Sequence, residues 1–320
     1  MLARAFCGVL ILTLSLPLDA ADTVVRVMTF NAWGGGANDG SGPTATLGAL
    51  QAAGADLIGL QEARAEASVC DAGNCPAAGD SFAAVAGEAL GYEVFEPAAE
   101  SLLNWSNATL ARYPVLATSP HGLGARFEID GKRVVLFNVH FDDFPYQPYQ
   151  ASGIPYGDAP LLSDADDLVS AARKARGAAL AFLREDLEFA EGADLTVITG
   201  DFNEPSHRDW TEAAAQAGRH PLAVDYPTVA ALEALGFVDA YRSAHPDEIS
   251  NPGFTWTPGA APDAPDEHHD RIDFILVRGE GVRIRDALIV GESPVNADIV
   301  VQPWPSDHRA VVADIALPND

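Results

Sequence analysis

The stretch LTVITGDFNEPS, residues 195–206, changes character half-way. It begins as an apolar, β-branched run, the composition of a buried strand. It ends in Gly-Asp-Phe-Asn-Glu-Pro. Asp201 and Asn203 stand two apart, and side chains two apart on an extended chain face the same way. A core strand that finishes by aiming an acid and an amide at one point is a candidate wall of a site.

The same punctuation recurs along the chain. Asn31 ends the run VMTFN, Glu62 ends LIGLQE, and His140 closes VVLFNVH. Asp273 sits in RIDFIL, and Asp307 and His308 immediately precede AVVADI. Singly, each has an ordinary explanation. Asn and Asp favour turns, a lone His is commonly structural, and Glu62 could cap a helix. Together they supply four carboxylates, two amides and two imidazoles, most of them where strands meet loops. Sites are commonly built there, on loops held by a rigid scaffold. Oxygen-rich donors suit a hard divalent cation such as Mg²⁺, Mn²⁺ or Ca²⁺, whereas a zinc site would call for more His and Cys. A hard cation beside two His and their acidic partners is the equipment of phosphoester hydrolysis. A His near its ordinary pKa can take a proton from water, with a carboxylate behind it fixing the tautomer.

Outward from these motifs, strands and helices interleave irregularly. Strands are expected over 24–33, 55–63, within 107–118, over 195–202, 271–279, 282–291 and 310–317. Helices are expected over 44–54, 81–91 and 166–191, and near 207–217 and 228–235. Asp130-Gly131 predicts a tight hairpin turn within 125–142. This pattern fits an α/β or α+β layered domain, a mixed-sheet sandwich with helices outside, better than a doubly wound parallel sheet. Residues 142–164 form the longest expected irregular segment, carrying Phe144, Tyr146, Tyr149 and Tyr156.

TFNAW, LIGLQE, NVH, GDFNEP, RIDFI and SDHRAV, in that order, resemble the motifs of the endonuclease/exonuclease/phosphatase superfamily, the deoxyribonuclease I-like proteins. The resemblance spans residues 25–317. It implies a four-layer α/β/β/α sandwich of two packed mixed sheets, with the site at one end. It also implies roles. Glu62 is the principal metal ligand, with Asn31 beside it helping to hold metal or phosphate. Asp307 is a second acid near the metal. Asp201 and Asn203 orient the attacking water and contact the phosphate. His308 is the general base or transition-state donor, Asp273 its partner, and His140 a phosphate contact. No catalytic position is visibly lost.

Composition bounds the rest. The chain has 320 residues, 48% of them hydrophobic, enough for a substantial core. Residues 1–21 read as a secretory signal, with Arg4 as the positive end, a short apolar run and small residues at Ala20 and Ala21. A buried helix or a membrane anchor is the competing reading. The mature catalytic domain is then 22–320, exported to the periplasm or beyond the cell and expected to be monomeric, without stable membrane insertion. Cys70 and Cys75 in CDAGNC suggest a small disulfide, with two free thiols as the alternative. Asn104 and Asn107 stand in glycosylation sequons.

With 19 basic against 46 acidic residues the net charge is −27, a surface that repels polyanions at long range. Only two lysines occur, Lys132 and Lys174. A small phosphodiester or phosphomonoester is therefore the expected substrate, with a secreted DNA or RNA nuclease as the alternative and an idle binding protein as a third reading. The segment 142–164 is expected to wall the substrate pocket or to pack on its own aromatics. The glycine-rich WGGGANDGSG, 33–42, is expected to form either a phosphate cradle or a flexible turn.

Overall fold

The computed structural model describes residues 22–38, 40–65, 81–98 and 106–319. The expected leader, the Cys70–Cys75 pair and the sequon at Asn104 lie outside these residues.

Two mixed sheets form the centre. The first contains β1 (Thr23–Asn31), β2 (Leu57–Gln61), β3 (Glu93–Phe95), β4 (Ala108–Ala111), β11 (Arg283–Gly291), β12 (Ile299–Val300) and β13 (Ala310–Leu317). Its spatial order is β12-β11-β13-β1-β2-β4-β3. The second contains β5 (Ala117–Thr118), β6 (Gly124–Ile129), β7 (Lys132–His140), β8 (Leu195–Asp201), β9 (Val238–Asp239) and β10 (Asp273–Arg278), in the order β5-β6-β7-β8-β10-β9.

Alternation along the strands places one apolar set between the sheets. Val25, Val27 and Ile315 from the first sheet meet Phe127, Leu136, Val197 and Ile275 from the second. The outer face of the first sheet packs Met28, Phe30 and Ile58 against α1 (Pro43–Ala53) and α2 (Phe82–Leu90). The outer face of the second packs Val135, Phe137 and Ile198 against α4 (Ala165–Asp186) and α6 (Pro227–Glu233). The result is the four-layer α/β/β/α sandwich.

Register brings the polar strand ends together. β1 runs parallel to β2, pairing Asn31 with Gln61 next to Glu62. β7 runs parallel to β8, pairing His140 with Asp201. β10 runs antiparallel to β8, so its first residue, Asp273, pairs with the last of β8, Asp201. β13 is antiparallel to β1 and starts where β1 ends, which places Asp307 and His308 at the same edge. Beneath this edge a polar seam ties the sheets. Asn138 of β7 donates to the Leu60 and Ala108 carbonyls of the first sheet at 2.7 and 3.0 Å.

Local chemistry accounts for the boundaries. Gly54 and Gly91 take left-handed conformations and end α1 and α2. Asp164 caps α4 through the amides of Asp166 and Asp167. Asp130 and Gly131 have φ of 50° and 78°, as a two-residue primed turn requires.

Some expectations are corrected. The segment 142–164 is not wholly irregular, since it contains α3 (Gln147–Ser152). Its single turn-and-a-half carries no helical periodicity long enough to read. β9, β12 and α7 (Ala240–Ala244) were also invisible at two to five residues each. The stretch 107–118, expected to hold one or two strands, holds two, and what the sequence did not show is that they belong to different sheets. Asn107 is buried, so its sequon offers no exposed amide. The short helix expected near 207–217 is confined to α5 (Glu212–Gln216).

Candidate active site

Each candidate catalytic, phosphate-binding or metal-binding residue from the sequence lies at one end of the sandwich. Glu62, His140, Asp201, Asn203, Asp307 and His308 line one cavity of about 490 Å³. Asn31 and Asp273 are fully buried just behind them.

Asn31 joins the two sheets. Its Nδ2 donates to Glu62 Oε1 at 2.8 Å and to Asp201 Oδ2 at 3.0 Å. Its oxygen accepts the Trp33 amide at 3.1 Å. Asn31 thereby positions two carboxylates, while its oxygen faces the Trp33 amide. Glu62 sits at φ 50°, a strained setting for a Glu, and its carbonyl is held by the Gly34 amide at 2.8 Å. The glycine-rich stretch after Asn31 is thereby a built turn and not a free phosphate cradle. Gly35 has φ 62° and lies so close to Phe82 that a Cβ would fall 2.3 Å from that ring.

Asp201 is the centre of the cluster. Its Oδ2 lies 3.5 Å from His308 Nε2 and 3.7 Å from His140 Nε2. Its Oδ1 accepts the Asn203 amide at 2.9 Å. Asn203 is left-handed at φ 47°, which Asn tolerates better than most residues. Its Nδ2 reaches the Phe141 carbonyl at 3.0 Å and the His140 ring at 3.2 Å. The sequence did not signal what holds this turn. Arg176, fully buried on α4, donates to the carbonyls of Phe202 and Asn203 and to Gln147 Oε1.

His308 Nδ1 lies 2.9 Å from Asp273 Oδ2. The Asp273 amide donates to Thr255 Oγ1 at 3.2 Å. Ser306 accepts the His308 amide at 3.0 Å and donates to the Asn31 carbonyl at 2.7 Å, locking β13 to β1. Trp256 packs on the His308 ring at 5.0 Å between centroids. Burial works against a charged imidazole, but the Asp273 and Asp201 carboxylates outweigh it and hold His308 well above its ordinary pKa. Burial, reinforced by Glu62 and Asp201 and opposed by His308, raises Asp307 to about 6.

The donors fit a hard cation. Glu62 Oε2 is buried without a hydrogen-bond partner, a costly state that a cation would relieve. Asp307 holds its proton beyond the usual carboxylate range because burial disfavours its charge and the Glu62 and Asp201 carboxylates crowd it. Arg64 is the one Lys or Arg among the described residues lining the cavity, and it is paired with Glu96 at 3.0 Å. Glu62 and Asp307 are the residues that would hold an ion.

The opposite wall is aromatic and acidic. Tyr146, Tyr149, Tyr156, Trp256, Asp142 and Asp143 line it. Residues of 142–164 line the cavity and also pack on one another: Tyr149 packs edge-on against Tyr146 and Tyr156 at 4.9 and 5.9 Å while facing the cavity. Phe144 instead is exposed and packs edge-on against Tyr156.

Residues 28–308 match the family model described as "Endonuclease/Exonuclease/phosphatase family". The chain belongs to the endonuclease/exonuclease/phosphatase family. Members of this family are generally divalent-metal-dependent enzymes acting on phosphoesters. The Caenorhabditis elegans "Uncharacterized protein F14F9.5" is 27% identical over 312 residues, covering 91% of this chain and 90% of that protein. Among solved structures, an endonuclease/exonuclease/phosphatase from Beutenbergia cavernae superposes with a TM-score of 0.53 at 18% identity, over 92% of this chain and 72% of that one. A Bacteroides vulgatus endonuclease/exonuclease/phosphatase gives 0.51 at 19% identity, over 92% and 99%. At such identities these two structures speak for the fold alone. No helix among the described residues is long and apolar enough to cross a membrane.

Proposed function

We propose that this family member is a divalent-metal-dependent hydrolase of a small phosphodiester or phosphomonoester, acting outside the cytoplasm. The observation that carries the reading is the convergence of Glu62, Asp201, Asp307, His140 and His308 on one cavity, with a buried Glu62 oxygen left without a partner.

In this reading Glu62 and Asp307 hold a cation such as Mg²⁺, Mn²⁺ or Ca²⁺. When bound, the ion polarises a phosphoryl oxygen and offsets developing charge. Asp201 orients the attacking water and accepts its proton, with Asn203 fixing the carboxylate through its amide. His308, kept protonated by Asp273 and Asp201, donates to a phosphoryl oxygen as charge builds there. The family motifs allow His308 to act as base or donor; its electrostatic setting favours the donor. His140, held by Asn203, contacts a second phosphoryl oxygen.

Substrate size follows from the cavity wall. Asp142 and Asp143 beside a single paired arginine would repel a polyanion and tolerate one phosphate. The nuclease reading has one observation in its favour: Trp256 and Tyr149 could stack a base. Export rests on the character of residues 1–21 and is tested by N-terminal sequencing of protein recovered outside the cytoplasm.

The deciding experiment is a panel with Mg²⁺, Mn²⁺ and Ca²⁺ against bis-p-nitrophenyl phosphate, p-nitrophenyl phosphate, sphingomyelin, plasmid DNA and RNA. Turnover of a small ester, lost in both Glu62→Ala and His308→Ala, supports the reading. Cleavage of nucleic acid alone replaces it with the nuclease, and no turnover at all with a binding role.

A further inference from the structure

Behind the aromatic wall lies a second group of metal-type donors, sharing no residue with the cavity lining. His220 Nδ1 and His268 Nε2 face each other at 3.0 Å. Asp270 Oδ2 lies 4.0 Å from His268 Nε2, and one donor atom from each of the three residues falls within 4.8 Å of the others. We propose that His220, His268 and Asp270 form a structural site for a borderline divalent transition metal, Zn²⁺ being the ion their chemistry suits.

The donor set comes first. Two imidazoles and one carboxylate suit zinc, whereas Mg²⁺ and Ca²⁺ prefer oxygen alone. Spacing agrees. Bonds of about 2.0–2.2 Å in a tetrahedron put neighbouring donors about 3.3 Å apart. The observed 3.0 and 4.0 Å straddle that value, so small side-chain rotations suffice. The longer gap exceeds a hydrogen bond, leaving the carboxylate aimed at the imidazole pair without touching it.

Each ligand is also held from behind. His268 Nδ1 is 3.2 Å from Ser152 Oγ, which can accept its N–H and leave the Nε2 lone pair pointing inward. The His220 ring bonds the backbone of Asp209, which leaves Nδ1 for the cluster. Asp270 accepts from Trp210 Nε1 at 2.8 Å and from Tyr146 OH at 2.9 Å, and each carboxylate oxygen keeps a further lone pair. Outer partners of this kind fix tautomer and orientation in metal sites. Trp210 stacks on His220 at 4.3 Å and 14°, closing the site with an apolar face.

An ion here would stiffen the catalytic wall. It would join α3, through Ser152, to the 220 loop and to the segment leading into Asp273. Asp270 pairs through its backbone with Trp256, which itself packs on His308. The inference does not depend on the phosphoesterase reading.

The test uses the full chain stripped with chelator. Glu62→Gln lowers uptake at the catalytic cavity, and zinc is counted after dialysis and titrated calorimetrically. Glu62→Gln should retain one zinc equivalent that Glu62→Gln/His268→Gln loses, with unchanged circular dichroism, and zinc should raise the Tm of the first variant only. Equal zinc content in the two variants overturns the site. Should the double variant not fold, crystals of the unaltered protein grown with Zn²⁺ decide: an anomalous peak among His220, His268 and Asp270 supports it, and its absence there overturns it.

Discussion

Asn31 Nδ2 donates to Asp201 Oδ2 at 3.0 Å, a bond that crosses from one sheet to the other at the mouth of the sandwich. The same nitrogen holds Glu62. One amide therefore fixes the separation of two carboxylates that face a single cavity.

Replacing Asn31 with Ala should leave both carboxylates without their shared donor. A buried group so stranded costs about 1–3 kcal/mol. Chemical denaturation should show a loss in that range. Steady-state assays should show kcat falling far more than overall fold content, followed by circular dichroism.

Asp273→Asn should keep the contact to His308 but remove the charge that keeps the imidazole protonated. Loss of a positioned proton donor costs about 10²–10⁴-fold in rate. The variant's activity should also fall at lower pH than the parent's, since the His308 pKa drops. A pH–rate profile unchanged in shape would remove His308 from the donor role.

Asp307 illustrates a conflict between stability and ion binding. Its folded pKa of about 6 stands above the ordinary 3.8. Between those values the folded chain binds more protons than the unfolded one, so this group's contribution falls as pH rises through the window. Asp307→Asn should therefore raise the metal-free Tm at pH 7, by about 2–4 °C. It should also weaken metal binding, and in the parent protein metal affinity should decline below about pH 6 as protons compete. Calorimetric titration across pH reads both.

Tyr149 belongs to the cavity wall and to no carboxylate of the proposed ion site. Its hydroxyl donates to Glu267 at 2.5 Å and burial pushes its pKa well above the ordinary phenol value, so it stays neutral at any working pH. Tyr149→Ala should change KM or substrate preference while leaving metal affinity as it was. Metal titration and the ester panel, run side by side, check this.

Arg271 tests the scaffold. It is fully buried and bonds Asp209 and Asp239, each at 2.8 Å. Removing one partner of a buried ionic network costs about 3–5 kcal/mol, because the remaining charges are left uncompensated. Arg271→Ala should unfold at correspondingly lower denaturant concentration.

Local sequence carried much of this architecture. The hairpin at Asp130-Gly131, the glycine stops at Gly54 and Gly91 and the apolar strand runs were legible because each depends on neighbours in the chain. The polar strand ends were legible too, since a buried run that stops at an acid or amide is conspicuous. Arg176, Trp256 and Ser306 were not. Each acts on a site residue through contacts between elements distant in sequence, and none belongs to a local pattern that marks it. Asn31 was found, but the direction of its amide was not.

The sequence by itself determined which side chains would terminate the core strands, because alternation and turn chemistry are local. Only the tertiary structure decided that these ends meet, through the parallel pairing of β7 with β8 and the antiparallel return of β10 and β13. It alone also brought His220 to His268 and Asp270, since strand register and loop packing follow from burial across the whole chain and not from any single stretch of it.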